Sequence, residues 1–236
     1  MPNKITSFIP NLITLCNLLS GCVAIFFSFH QGETFGALTG LQWAWIAIAA
    51  AAVFDFSDGA SARCLHAYSE IGVQLDSLSD LVSFGVAPAM MMFNLMLGLS
   101  DYPWLCAATL LIPACGAYRL AKFNCDKTQS TSFKGLPIPA NAIFWIGMCG
   151  WIERYSYPGT AVMVILIVLV SWLMVCNMRM FSLKFKNLDF RENFRRYVLI
   201  GATATFCICW GVAGLVWAIA LYVFISMLGR KEEAAQ

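Results

Sequence analysis

The sequence predicts an all-α polytopic membrane protein with about eight transmembrane helices. Of its 236 residues, 60% are hydrophobic and only 12% are charged, where a soluble domain carries about 25% charged residues. The mean hydropathy is +0.72. Apolar windows of spanning or near-spanning length recur from one end of the chain to the other. The formal net charge of +2 is too small to point to nucleic acid or any other polyanion as a partner.

The first window runs from Asn11 to Phe29. Lys4 precedes it and no small-x-small cleavage site comes after it, so a retained helix is expected rather than a signal peptide. The second window runs from Leu41 to Arg63, the third from Gly72 to Leu97 and the fourth from Pro103 to Lys122. A short fifth covers Pro139 to Trp151, and a sixth covers Thr160 to Arg179. The last apolar stretch, Tyr197 to Leu228, would be roughly 48 Å long as one helix at about 1.5 Å per residue, too long for a hydrocarbon core of about 30 Å. A hairpin near Trp210-Gly211 divides it in two.

Charge placement supports that count. With eight spans, fourteen of the fifteen Lys and Arg residues fall on one side, the exception being Arg154. The positive-inside rule makes that side, with both termini, cytoplasmic. The longest polar loop, Phe181 to Arg196, reads as an ordinary positive-inside loop, with contact to anionic headgroups as the alternative. The ten cysteines lie mostly inside apolar runs and form no CxxC pair, which marks them as packing residues. His30 and His66 are isolated and lack metal-ligand spacing.

Four aspartates stand out against this background: Asp55, Asp58, Asp76 and Asp80. An acid inside a membrane segment costs roughly 2.5–3.5 kcal/mol on insertion scales. Asp55, Asp58, Gly59 and Ala62 fall on one face of the second helix, and Gly72, Asp76 and Asp80 on one face of the third. Two adjacent antiparallel helices would point these carboxylates into a shared space, with Gly59, Ala62 and Gly72 leaving room for a ligand. Arg63 ends the second helix with a forked cation suited to phosphate. Oxygen-only ligands favour a hard cation such as Mg²⁺, Mn²⁺ or Ca²⁺. One or two such ions could polarise a phosphoryl group near the cytoplasmic boundary. Cation or proton transport, and Asp–Arg glue between helices, are the competing readings of intramembrane acids.

The string Asp55-x-x-Asp58-Gly59-x-x-Ala62-Arg63, then eight residues, then Gly72-x-x-x-Asp76-x-x-x-Asp80, resembles the signature of the CDP-alcohol phosphatidyltransferase family at every fixed position. Further segments are similar to the branch that transfers to serine. They are Pro10 to Asn17, Leu75 to Pro88, Tyr118 to Asn124, Phe133 to Pro139 and, more loosely, Asn177 to Asp189. Composition points to a single membrane domain over residues 1–236, of which the resemblance covers about 8–190. That part is the six-helix catalytic core the resemblance implies, and the hairpin at 197–229 carries no motif. The resemblance also implies a homodimer in the cell membrane, with its cavity open to the cytoplasm.

The resemblance also implies roles. Asp55, Asp58, Asp76 and Asp80 would hold one or two Mg²⁺ or Mn²⁺ ions, and Asp80 would be the general base. Asn17, Gly59, Ala62, Arg63 and Gly72 would line the CDP pocket. The substrates would be CDP-diacylglycerol and L-serine, and the products phosphatidylserine and CMP. A zwitterionic acceptor needs a partner for its carboxylate, and Arg119, Lys122 and Asn124 are the candidates, with a lipid-phosphate contact as their alternative. Ser83 and the turn at Gly135 to Pro137 are weaker candidates for shaping that pocket. Glycerol 3-phosphate or an inositol compound is the rival acceptor. The former, a dianion, would call for a denser basic pocket.

Overall fold

The computed structural model describes residues 8–67, 69–125, 133–181 and 193–233. Helix α1 (Phe8–Ser28) is followed by a two-strand turn, β1 (Thr34–Phe35) paired antiparallel with β2 (Leu38–Thr39), and then by α2 (Gly40–Cys64). A capping box starts α2: the Thr39 side chain accepts from the Gln42 amide and the Gln42 side chain accepts from the Thr39 amide. This tight connection makes α1 and α2 an antiparallel pair packed along their length.

The third helical stretch, Glu70–Leu99, has three parts. Helix α3 (Glu70–Asp80) is capped by Ser69, whose Oγ accepts from the Gly72 amide at 3.0 Å. A π-helical segment comes next (Leu81–Val86), closed by the Ala87 amide donating to the Val82 carbonyl. Helix α4 (Ala87–Leu99) continues from it and buries Met91, Met92 and Met96 completely. A 3₁₀ stretch (Pro103–Leu110) then leads into α5 (Leu111–Cys125). The remaining elements are β3 (Phe133–Lys134), α6 (Ile138–Arg154), α7 (Thr160–Val175), β4 (Arg179–Met180), α8 (Phe194–Trp210) and α9 (Gly214–Glu233).

Helix α6 is buried almost all round, as its apolar sequence requires of a central helix. It also services the π segment: Asn141 Nδ2 donates to the Phe84 carbonyl at 3.0 Å, and Trp145 Nε1 donates to Asn141 Oδ1 at 2.8 Å. The core is built on α4, α6 and α7, with Trp145, Met91, Met92, Met163 and Ile167 among its fully buried side chains.

Among the described residues, five stretches are long and apolar enough to cross a membrane: Phe8–Ser28, Gly40–Cys64, Glu70–Leu99, Pro103–Cys125 and Phe194–Leu228. The Thr160–Val175 helix is apolar but shorter. The fold is thus the all-helical polytopic membrane architecture expected.

One boundary departs from the apolar windows, and the expected break near Trp210-Gly211 is present. The sixth window extends to Arg179, but α7 ends at Val175 and Cys176 is extended. The Gly135 and Leu136 amides take the Met178 and Leu173 carbonyls, each at 2.8 Å, and draw the chain into the β3–β4 pairing. Gly135 has φ +78°, and a Cβ there would run into the Met174 carbonyl, so this junction requires glycine. Within the last apolar stretch, Gly211 (φ +61°) interrupts the helix and Gly214 lies against the backbone of Phe206.

Candidate active site

Each of Asp55, Asp76 and Asp80 offers a carboxylate oxygen within 4.8 Å of the others. Asp55 comes from α2 and the other two from α3, so the antiparallel approach of two helix faces assembles the cluster. In octahedral coordination by Mg²⁺, oxygens on opposite sides lie about 4.2 Å apart, from metal–oxygen distances of about 2.1 Å. The cluster is therefore close to the span of one ion. Neither Asp76 nor Asp80 has a Lys or Arg within ion-pair distance among the described residues. Carboxylates gathered in a membrane segment without such partners need a counter-charge. The all-oxygen donor set fits a hard divalent cation.

Asp58 stands apart from this trio. It is buried, and its Oδ2 accepts from Thr14 Oγ1 of α1 at 2.6 Å. It nonetheless borders the same opening: Asp58, Gly59, Ala62, Gly72 and Asp76 line a cleft of about 150 Å³ together with Pro10, Asn11 and Thr14 of α1 and with Ala67, Ser69 and Val73. A Cβ on Gly72 would lie 3.0 Å from Asn11 Oδ1 and 2.9 Å from Ser69 Oγ, so the bare α-carbon keeps this mouth open. Arg63 is exposed at the end of α2, with Nη1 3.6 Å from where a Cβ of Gly59 would lie.

Asn17 is fully buried on α1 and does not line the cleft; its Nδ2 donates to Asp80 Oδ1 at 3.2 Å. Ser83 is also fully buried, and its Oγ donates to the Asn17 carbonyl at 2.9 Å, which ties the π segment to α1 at the level of the acids. The role of α1 is what helix-face reasoning on α2 and α3 missed. A signal for it exists: Pro10, Thr14, Asn17, Gly21, Ala24 and Ser28 form a buried stripe of small and polar residues along an otherwise apolar helix.

The three residues expected on the acceptor side occupy different settings. Arg119 on α5 is only 8% exposed, and its Nε has no hydrogen-bond partner. It lies within electrostatic reach of Asp80 and of Tyr222 on α9. Lys122 Nζ donates to Asn177 Oδ1 at 2.7 Å, and Asn124 Nδ2 donates to Ser77 Oγ at 2.9 Å. Of the three, Arg119 is the one with a buried donor, Nε, that finds no acceptor in the protein, a situation an anionic ligand would relieve.

Residues 7–186 match the sequence profile of the CDP-alcohol phosphatidyltransferases. Curated relatives carry the name CDP-diacylglycerol–serine O-phosphatidyltransferase. The chain is 37% identical to the Bacillus subtilis protein over 156 residues, covering 64% of this chain and 77% of that one. It is 32% identical to the Methanocaldococcus jannaschii protein over 171 residues, covering 72% of each. It is 39% identical to the Mycobacterium leprae protein over 148 residues, which span 59% of this chain and only 46% of that longer one.

Proposed function

The chain belongs to the CDP-alcohol phosphatidyltransferase family, and on that premise we propose that it transfers the phosphatidyl group of CDP-diacylglycerol to the hydroxyl of L-serine. The observation that carries the reading is the trio Asp55, Asp76 and Asp80, of which Asp76 borders a cleft lined by small residues. The names of the relatives support serine as the acceptor.

Asp55, Asp76 and Asp80 would hold one or two Mg²⁺ or Mn²⁺ ions, with Asp58 beside them, and bound metal would supply charge neutralisation and polarisation of the diphosphate. Gly59, Ala62 and Gly72 give the CDP moiety room to approach the backbone, and Arg63 offers its guanidinium to phosphate at the rim. Asn17 holds Asp80 through Oδ1, which leaves Oδ2 to take the proton from the serine hydroxyl. The serine oxygen forms its bond to the lipid-side phosphorus as the bond from that phosphorus to the CMP oxygen breaks. No covalent enzyme intermediate is needed. Arg119 receives the serine carboxylate, while Lys122 and Asn124 support that side through Asn177 and Ser77.

By the positive-inside rule, the termini and the site face the cytoplasm, in a homodimer embedded through eight helices in the cell membrane. The decisive experiment is an acceptor screen. Purified protein with CDP-diacylglycerol and Mg²⁺ or Mn²⁺ is expected to release CMP with L-serine and not with glycerol 3-phosphate or inositol compounds. CMP release with one of those instead would reassign the acceptor. Solute uptake into liposomes without CDP-diacylglycerol would favour a transporter.

A further inference from the structure

Tyr222 lies on α9, beyond the residues that the family profile matches. It is 2% exposed. Its hydroxyl donates to the Phe181 carbonyl at 3.1 Å, and the two rings sit 5.1 Å apart at 58°. Phe181 comes directly after β4, against which α9 packs. Four residues before Phe181 is Asn177, the acceptor for Lys122 Nζ. One turn before Lys122 on α5 is Arg119, within electrostatic reach of Tyr222. A side chain outside the matched span thus anchors the segment 177–181 that meets the basic end of α5.

A phenol has one proton to give and lone pairs that accept, whereas a guanidinium only donates. With its proton committed to Phe181, the Tyr222 oxygen can act toward Arg119 only as an acceptor. No hydrogen bond joins Tyr222 to Arg119 among the described residues, so the link between α9 and the basic end of α5 runs through Phe181 and Asn177.

Resting on the proposal that serine is the acceptor, we infer that Tyr222 is a positioning residue for the acceptor subsite: through Phe181 it fixes the 177–181 segment, whose Asn177 holds Lys122 one turn from Arg119. Helix α9 is then part of acceptor recognition as well as an anchor in the bilayer. If Tyr222 merely packed against β4, its hydroxyl would affect stability and leave substrate discrimination alone.

The test is steady-state CMP release by the full-length chain, with serine and CDP-diacylglycerol varied in turn. Tyr222→Phe, which keeps the ring, is expected to raise the serine KM about tenfold while kcat and the CDP-diacylglycerol KM stay within about twofold. Combined with Lys122→Ala, the losses are expected to be clearly less than multiplicative. An unchanged serine KM, an equal rise in both KM values, or fully multiplicative losses would overturn the inference. If Tyr222→Phe yields no folded protein, Tyr222→His is read by the same ratio of KM values. Should the wild-type chain use a different alcohol, the serine reading falls by itself. The effect of Tyr222→Phe on that alcohol's KM then decides the inference.

Discussion

Asn17 on α1 donates to Asp80 on α3, at 3.2 Å, from a position with no exposure to solvent. A carboxylate in a like-charged cluster is thereby held by a neutral amide from a third helix, which fixes its orientation without adding charge. Asn17→Ala is expected to lower kcat by about 10- to 100-fold, the worth of one hydrogen bond to a charged group, with the CDP-diacylglycerol KM little changed. CMP-release kinetics check this. A loss confined to the CDP-diacylglycerol KM would place Asn17 with the nucleotide instead.

Asp80→Asn keeps shape and hydrogen-bonding capacity but cannot take a proton. CDP-diacylglycerol binding is expected to persist while turnover falls by about 10²–10⁴-fold. Binding and turnover measured on the same preparation separate the two, and near-normal turnover would remove Asp80 as the base.

Chelation of divalent ions is expected to abolish CMP release, and Mg²⁺ or Mn²⁺ to restore it. Asp76→Asn, which removes one charge from the trio, is expected to require more metal for half-maximal activity. The readout is a metal titration of activity for each protein. Full activity in chelator would end the metal reading.

Arg119→Ala is expected to raise the serine KM by about 10- to 100-fold, since one charge-assisted contact is lost, and to leave CDP-diacylglycerol binding near its original level. Serine and CDP-diacylglycerol titrations compare the two effects. Equal weakening of both would move Arg119 to a phosphate of the lipid.

Gly21 packs α1 against the π segment: a Cβ there would come within 2.8 Å of the Ser83 α-carbon and against its Oγ. Gly21→Ala is expected to cost about 1–3 kcal/mol and to disturb the Ser83–Asn17 bond. A lower thermal unfolding midpoint in detergent, with reduced turnover, is the expected signature. An unchanged midpoint would mean the helices separate freely there.

The helices themselves were legible because long apolar windows broken by Pro, Gly and charge leave few alternatives in a membrane. Asp55, Asp76 and Asp80 were legible as a cluster because helical spacing fixes which face each residue occupies. The same spacing put Asp58 beside Asp55, but it cannot reveal that Thr14, 44 positions earlier, engages Asp58. The link from Asn17 to Asp80 is hidden for the same reason: it depends on how α1 docks, and local sequence does not encode that. The end of α7 was obscured because Cys176 and Met178 extend the apolar run around a single Asn177, with no Gly or Pro to stop it. The stop comes from backbone bonds to Gly135 and Leu136.

The π-helical turn at Leu81–Val86 sits inside one continuous 30-residue stretch. An α-helix advances about 100° per residue, so a turn that closes over one extra residue changes the angular phase of α4 relative to α3. The stretch behaves like a crankshaft with two throws. One aims Asp76 and Asp80 at α2, and the other aims Met91, Met92 and Met96 into the interior. Winding Leu81–Val86 as ordinary α-helix, with no residue removed, would leave the methionines seated and swing the carboxylates by about 100°. The aim of the acids is therefore stored in the winding of the helix, and a change in that winding that touches no carboxylate would disarm the cluster.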